Sequence, residues 1–174
     1  MDIISPYKDI RQFTKIKILP HHMNSDIKNH MKLSLKKKVE KKCNKYGYIT
    51  KIFQIIDYGN GIINAENFNA SALYNIKYSA RICIPIINTQ IICKIDIINK
   101  VIIKSTNGPI LCIIKINDIN RTNFNQNNQG NIIHSSNKIL DSNNYIKVLV
   151  RARKYNSGDD RILVLGILEN IASQ

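Results

Sequence analysis

A chain of 174 residues holds one medium domain or two small ones, and an apolar share of 44% is enough to bury a core. A formal net charge of +14 at pH 7 favours nucleic acid, an acidic protein surface or anionic lipid as partner. No apolar run approaches the roughly 20 residues a membrane helix needs. Residues 1–9 are polar and broken by Pro6, so neither a membrane span nor a signal peptide is expected.

The charge is not confined to a detachable tail. Residues 1–80 hold 14 Lys/Arg against 6 Asp/Glu, and residues 81–174 hold 12 against 6. The apolar content is mostly Ile, whose branched side chain suits a pleated sheet. Abundant Ile, Asn and Lys also fit an AT-rich genome, which weakens arguments from propensity. Cys43, Cys83, Cys93 and Cys112 form no C-x-x-C pair and have no His at zinc-ligand spacing. Three of them lie in apolar runs, where Cys behaves as a small core residue. No cofactor or metal is expected, and a reducing intracellular compartment fits best.

In chain order, residues 13–19 alternate in part and read as a first strand ended by Pro20. Asn24 or Ser25 supplies a short polar side chain to cap a helix over about 26–43. There Ile27, Met31, Leu35 and Val39 recur every four residues as an apolar stripe, and Lys28, Lys32, Lys36, Lys37, Lys38, Lys41 and Lys42 cover much of the rest. Gly47 punctuates, and residues 48–56 are strand formers. Residues 57–61 read as a turn, since Gly and Asn tolerate positive φ. Alternation resumes over 72–78, giving β-α-β followed by further strand.

Beyond residue 80 helical signals nearly vanish. Residues 81–87, 91–98, 101–104 and 110–116 are strand candidates, with a turn at Asn107-Gly108-Pro109. Residues 117–144 are rich in Asn, Ser and Gln and read as a long loop, with a short element at Ile132-Ile133. In the next strand Ile146, Val148, Val150 and Ala152 point one way, and Lys147, Leu149, Arg151 and Arg153 the other. A turn at 155–160 leads to a final strand over 161–168. The expected fold class is therefore α+β: a β-α-β unit over 1–80, then a five-stranded OB-fold barrel over 81–174 carrying the Asn-rich loop near 117–144.

No enzyme constellation stands out. His21, His22, His30 and His134 form no H-E-x-x-H, and His22 and His30 share a helix face only if the helix begins early. Gly59-Asn60-Gly61 lacks the third Gly of a dinucleotide loop and precedes a strand-like run. Asp159-Asp160 sits in a hairpin turn, where Asp is an ordinary choice. What remains is binding. Arg151, Arg153 and Lys154 offer phosphate contacts and Tyr155 a ring for stacking. Lys94, Lys100, Lys104 and Arg161 extend that surface if their strands pair as an OB-fold requires. Binding of this kind leans on charge, so it is salt-sensitive and weakly sequence-selective.

Motif order adds a family resemblance. Val39-Glu40, Cys43, Tyr46-Gly47-Tyr48-Ile49, the Gly59-x-Gly61-x-Ile63 turn and Tyr78-Ser79-Ala80 come first; Pro85, Gly108-Pro109 and Arg161-Ile162-x-x-x-Gly166 follow. In order and spacing, from about Thr14 to Ser173, this resembles the family of the seventh subunit of eukaryotic RNA polymerase II and its archaeal counterpart. The resemblance implies a stalk subunit without its own active site, built from an amino-terminal tip domain and an OB-fold. It implies core-polymerase docking through Tyr58, Gly59, Asn60, Gly61, Ile62 and Ile63. It also implies a second stalk subunit held between the domains, and nascent single-stranded RNA touched by the barrel. The family's early barrel Gly is replaced near Thr89-Gln90, and 117–144 is poorly matched. The composition suits a large DNA virus with its own transcription machinery, acting in host cytoplasm and virion, or the nucleus of an AT-rich eukaryote. Two other readings stay open: a free-standing OB-fold RNA-binding protein in translation or RNA decay, and a scaffold whose basic helix binds an acidic partner.

Overall fold

The computed structural model describes residues 3–65, 68–127, 131–142 and 144–172. Its elements run β1 (Tyr7–Ile18), a 3-10 turn (Pro20–His22), α1 (Ile27–Val39), β2 (Cys43–Asn44), β3 (Gly47–Tyr58), β4 (Ile62–Ile63) and β5 (Ala72–Cys83). They continue through β6 (Gln90–Ile98), β7 (Ile102–Asn107), β8 (Ile110–Ile119), β9 (Phe124–Gln126), β10 (Ile132–His134), β11 (Tyr145–Lys154) and β12 (Ile162–Ile171).

The first sheet has the order β1-β5-β3-β2, and its pairings are antiparallel. On β1, Gln12, Ile16 and Ile18 are buried while Phe13, Lys15 and Lys17 are exposed, the period of two that a half-buried strand requires. Three register shifts interrupt β3 against β5, after Ile49, Ile52 and Ile55. Each inserts an extra residue, so Ile49, Ile52, Ile55 and Tyr58 reach the core at intervals of three. The helix covers this face. Met31 and Leu35 are fully buried, each burial stabilising by about 1.5–3 kcal/mol, and Ile27 and Val39 pack beside them. The apolar stripe therefore faces where its spacing predicts.

Several boundaries differ from expectation. The helix stops at Val39 rather than near Cys43, because Glu40 is extended and Lys41 turns left-handed at φ 60. The Lys41 amide then donates to the Ile49 carbonyl. Asp26 occupies the N-cap without a side-chain cap bond. Asn24 instead accepts from the Asp26 amide at 2.9 Å, a turn that leads into the helix. Residues 59–61 do not reverse the chain: β4 continues the line of β3 along β5, with Ile62 opposite Leu73 and Ile63 opposite Ala72. Gly59 and Gly61 are not among the positive-φ glycines. A Cβ on Gly61 would stand 2.6 Å from the Tyr74 ring and 3.0 Å from the Ala72 Cβ, so close approach is what favours glycine there. The strand expected over 72–78 and the first part of the next are one strand, β5, paired on both sides to its end.

The second body is a closed barrel of order β11-β12-β8-β7-β6, with β6 paired back to β11. β12 runs parallel to β8 and antiparallel to β11, giving an OB-like barrel. Its interior is filled by Ile91, Ile95, Ile103, Ile110, Ile114, Ile146, Val148, Ile162 and Val164, together with Cys93 and Cys112. The expected alternation on β11 fails at its end. A shift between Val150 and Ala152 makes Arg151 the extra residue, which leaves Ala152 exposed, and Leu149 is buried. The short element expected at Ile132-Ile133 is present as β10, but the rest of the Asn-rich stretch is not one long loop. β9 and β10 form a small hairpin, and Phe124, Ile132 and Leu140 are buried in the barrel core. Residues 128–130 and 143 of that stretch lie outside the described set.

The two bodies meet at one end of the barrel. The Cys43 amide donates to the Asp159 carbonyl at 2.7 Å, and the Gly158 amide to the Cys43 carbonyl at 2.8 Å. The Tyr7 hydroxyl donates to Asn107 Oδ1 at 3.2 Å and lies where a Cβ on Gly108 would be. All four cysteines are buried and free, and burial pushes the Cys43 thiol up to about 11 and that of Cys83 to about 12.

Candidate nucleic-acid interface

The basic residues expected to meet RNA fall into three groups. Lys94 and Lys104 point outward from β6 and β7; Lys94 lies opposite Thr106 and Tyr145, and Lys104 opposite Ile97 and Ile113. Lys100 sits in the β6–β7 connection, at the barrel end away from the sheet. Arg151, Arg153, Lys154, Tyr155 and Arg161 gather at the opposite end, around the β11–β12 connection. One continuous patch is therefore not formed, although Lys94 and Lys104 share a wall.

Members of the last group differ in freedom. Arg151 is exposed on its bulge, and Lys154 is exposed at the strand end. The Arg153 guanidinium donates through Nη1 to the Pro85 carbonyl, so it ties β11 to the segment between β5 and β6. Tyr155 packs half-buried against the barrel core, leaving only part of its ring for a base. Arg161 lines a groove of about 540 Å³ between sheet and barrel with Lys41, Tyr48, Thr106, Asp96 and Asp160. The two carboxylates offset its positive charge.

Composition and motif order pass over the open face of the sheet, opposite α1. Phe13 is 74% exposed there, with the Lys77 Nζ 5.5 Å from its ring centre. Phe53 carries Arg81 at 5.4 Å. Arg81 also bonds both carboxylate oxygens of Asp9, at 2.7 and 3.1 Å. Those hydrogen bonds, and the charge behind them, hold the Asp9 carboxyl below its usual range. Exposed rings under cations suit base stacking. The alternation of β1, followed from Asp9 to Lys17, was the signal that could have found Phe13.

The segment expected to dock on the polymerase core ends in exposed apolar residues. Tyr58 is half-buried, the Gly59 amide donates to the Asn75 carbonyl at 3.0 Å, and Asn60 and Gly61 are exposed. Ile62 and Ile63 are 58% and 57% exposed, and Phe68, which no motif marks, is fully exposed. Neighbouring exposed apolar residues such as Ile62 and Ile63 mark interaction surfaces.

The histidines come together by an unforeseen route. The 3-10 turn, not an early helix start, sets the His22 ring 4.0 Å from His21 and 4.3 Å from His30. Desolvation, followed by the neighbouring His21, His30 and Lys37, lowers the His22 pKa. Among the described residues no group of three His, Cys, Asp or Glu is placed to hold a metal ion. No helix there is long and apolar enough to cross a membrane.

No protein-family model matches the chain. Over 160 residues it is 33% identical to a protein of Acanthamoeba polyphaga mimivirus named as a putative DNA-directed RNA polymerase subunit, spanning 91% of this chain and 80% of the relative. The chain therefore belongs to the family of that viral DNA-directed RNA polymerase subunit.

Proposed function

We propose that this polymerase subunit is a stalk subunit of the seventh-subunit type, without an active site of its own. The observation that carries the reading is an OB-like barrel joined end-on to a one-helix sheet in a chain akin to a polymerase subunit. Motif residues behind the resemblance sit at structural necessities: Gly47 against β5, Gly108 under Tyr7, and Gly166 against Val148. In this reading residues 1–80 are a tip that docks on the core through Tyr58 to Ile63, aided by Phe68. Residues 81–174 are the barrel that touches nascent single-stranded RNA, and the groove beside Arg161 receives a second stalk subunit. Host cytoplasm and virion are the expected locations, as for a viral enzyme.

The test is affinity purification of the tagged chain from producing cells, followed by mass spectrometry. The wild type should bring down the large polymerase subunits. Ile62→Asp with Ile63→Asp should lose them while the purified variant keeps its unfolding midpoint. Unchanged recovery by that variant would remove the docking assignment. Recovery of no polymerase subunit by the wild type would turn the reading toward a free-standing RNA-binding protein.

A further inference from the structure

The Asn-rich excursion between β8 and β11 contains two kinds of amide. One kind builds the excursion itself. Asn120 Nδ2 donates to Glu169 Oε2 at 3.1 Å, Asn123 Nδ2 donates to the Glu169 carbonyl at 2.8 Å, and Asn127 Oδ1 accepts from the Asn131 amide at 2.8 Å. The His134 ring is held between Asn170 Oδ1 at 2.9 Å and Ser136 at 2.8 Å, edge-on to Phe124. These bonds, with Phe124 and Ile132 in the barrel core, fix the hairpin on the barrel end.

The other kind faces a cavity. Between the end of β8 and the hairpin lies a space of about 270 Å³, lined by the apolar Ile116, Ile119, Phe124 and Ile132 and by the polar Asn117, Arg121, Asn125 and Gln126. Asn117, Arg121 and Asn125 are exposed, and no hydrogen bond from their side chains to a described residue is formed. The volume is just below that of drug-sized ligand sites, a size for one flat ring system. An apolar wall suits a ring face. A primary amide offers both a donor and an acceptor to a ring edge, and the Arg fork suits a phosphate.

We propose that this cavity is a nucleobase subsite for single-stranded RNA. One base inserts between the isoleucines and the amides of Asn117 and Asn125, and Arg121 meets the adjoining phosphate. The proposal rests on the barrel contacting RNA. It adds a base-reading element to a surface otherwise governed by charge, and it assigns a role to an excursion that composition marks as a loop. Single strands are read in this way because their base edges are free of pairing partners.

The experiment measures fluorescence anisotropy of labelled oligomers of about ten nucleotides, each carrying one base type, against an abasic ribose-phosphate oligomer of equal charge. Stacking and edge contacts to one base predict that at least one oligomer binds roughly five- to tenfold tighter than the abasic one. Asn117→Ala with Asn125→Ala should erase that difference and leave abasic binding unchanged. Arg121→Ala should weaken every oligomer alike. Equal binding of abasic and base-carrying oligomers, or a double variant that keeps the preference, overturns the subsite while RNA binding by the barrel stands. No binding of any oligomer at low salt overturns both.

Discussion

The sheet and the barrel solve the same problem, burying isoleucine, in opposite ways. The barrel closes on itself, so most of its inward side chains pack against one another, and Phe124, Ile132 and Leu140 of the excursion and Cys43 and Cys83 of the sheet complete its core. The sheet has one helix for one face, and the other face keeps Phe13 and Phe53 in contact with solvent and cations. β3 bends through three bulges to wrap that single helix. Self-sufficiency concentrates stability in the barrel, and incompleteness leaves the sheet with surfaces for something else. The exposed Ile62, Ile63 and Phe68 belong to the incomplete body, which agrees with an assignment of anchoring to it.

The largest effects should come from the two cores. Ile95→Ala empties the barrel centre and should cost about 2–5 kcal/mol. Gly47→Ala strains the sheet, because the glycine sits at φ +132 and a Cβ would stand 2.7 Å from the Cys83 carbonyl oxygen; about 2–4 kcal/mol is expected. Urea unfolding followed by far-ultraviolet dichroism and by tyrosine fluorescence checks both. One shared transition in each variant would mean that the Cys43–Asp159 junction couples the bodies. Separate transitions would sharpen the contrast.

A middle-sized effect should split the arginines of β11. Arg153→Ala removes the bond to the Pro85 carbonyl and should lower stability by about 1–2 kcal/mol, with little change in RNA affinity. Arg151→Ala with Lys154→Ala should leave stability within about 0.5 kcal/mol. That pair should also flatten the salt slope of RNA binding by about 0.7 for each phosphate no longer neutralised. Anisotropy titrations at several salt concentrations would show the reverse if Arg153 were the residue that meets RNA.

The smallest effect concerns pH and belongs to the sheet alone. His22 has a folded-state pKa below its ordinary value of 6.5, so the unfolded chain binds its proton more readily. Stability should therefore be full above that value and decline as pH falls through it. The positive end of α1 is close by and disfavours added charge. His22→Gln should remove the slope, measured as the urea midpoint between about pH 7.5 and 5.

Much of this was legible in the residues, and the failures have physical causes. The stripe from Ile27 to Val39 located the helix because one buried face leaves a four-residue period. The helix end was missed because a left-handed Lys carries no sequence signature of the kind a Gly does. β3 was located over 48–56 by its strand-forming residues, but its buried face was not, because the bulges turned a period of two into three. In the excursion the short element at Ile132-Ile133 was visible, but its packing was not, because Phe124, Ile132 and Leu140, eight residues apart, are too sparse to register as a pattern, yet each fills a place in the barrel core. Of the site, charge was visible and grouping was not. Lys94 and Lys104 align only through the β6–β7 register, and the tie from Arg153 to Pro85 spans residues far apart in the chain. Phe13 and Phe68 are single aromatics, and their exposure is a property of the folded chain.

The side-by-side, same-direction pairing of β8 with β12 joins Ile110 to Ile162. On a ribosome the amino-terminal sheet can assemble once Cys83 has emerged, whereas β8 must wait with an open edge until some fifty further residues are made. During that interval its isoleucines are unshielded and a neighbouring nascent chain can pair with them. Synthesis in a crowded cell should therefore make this subunit depend on chaperones most strongly in the last third of its translation.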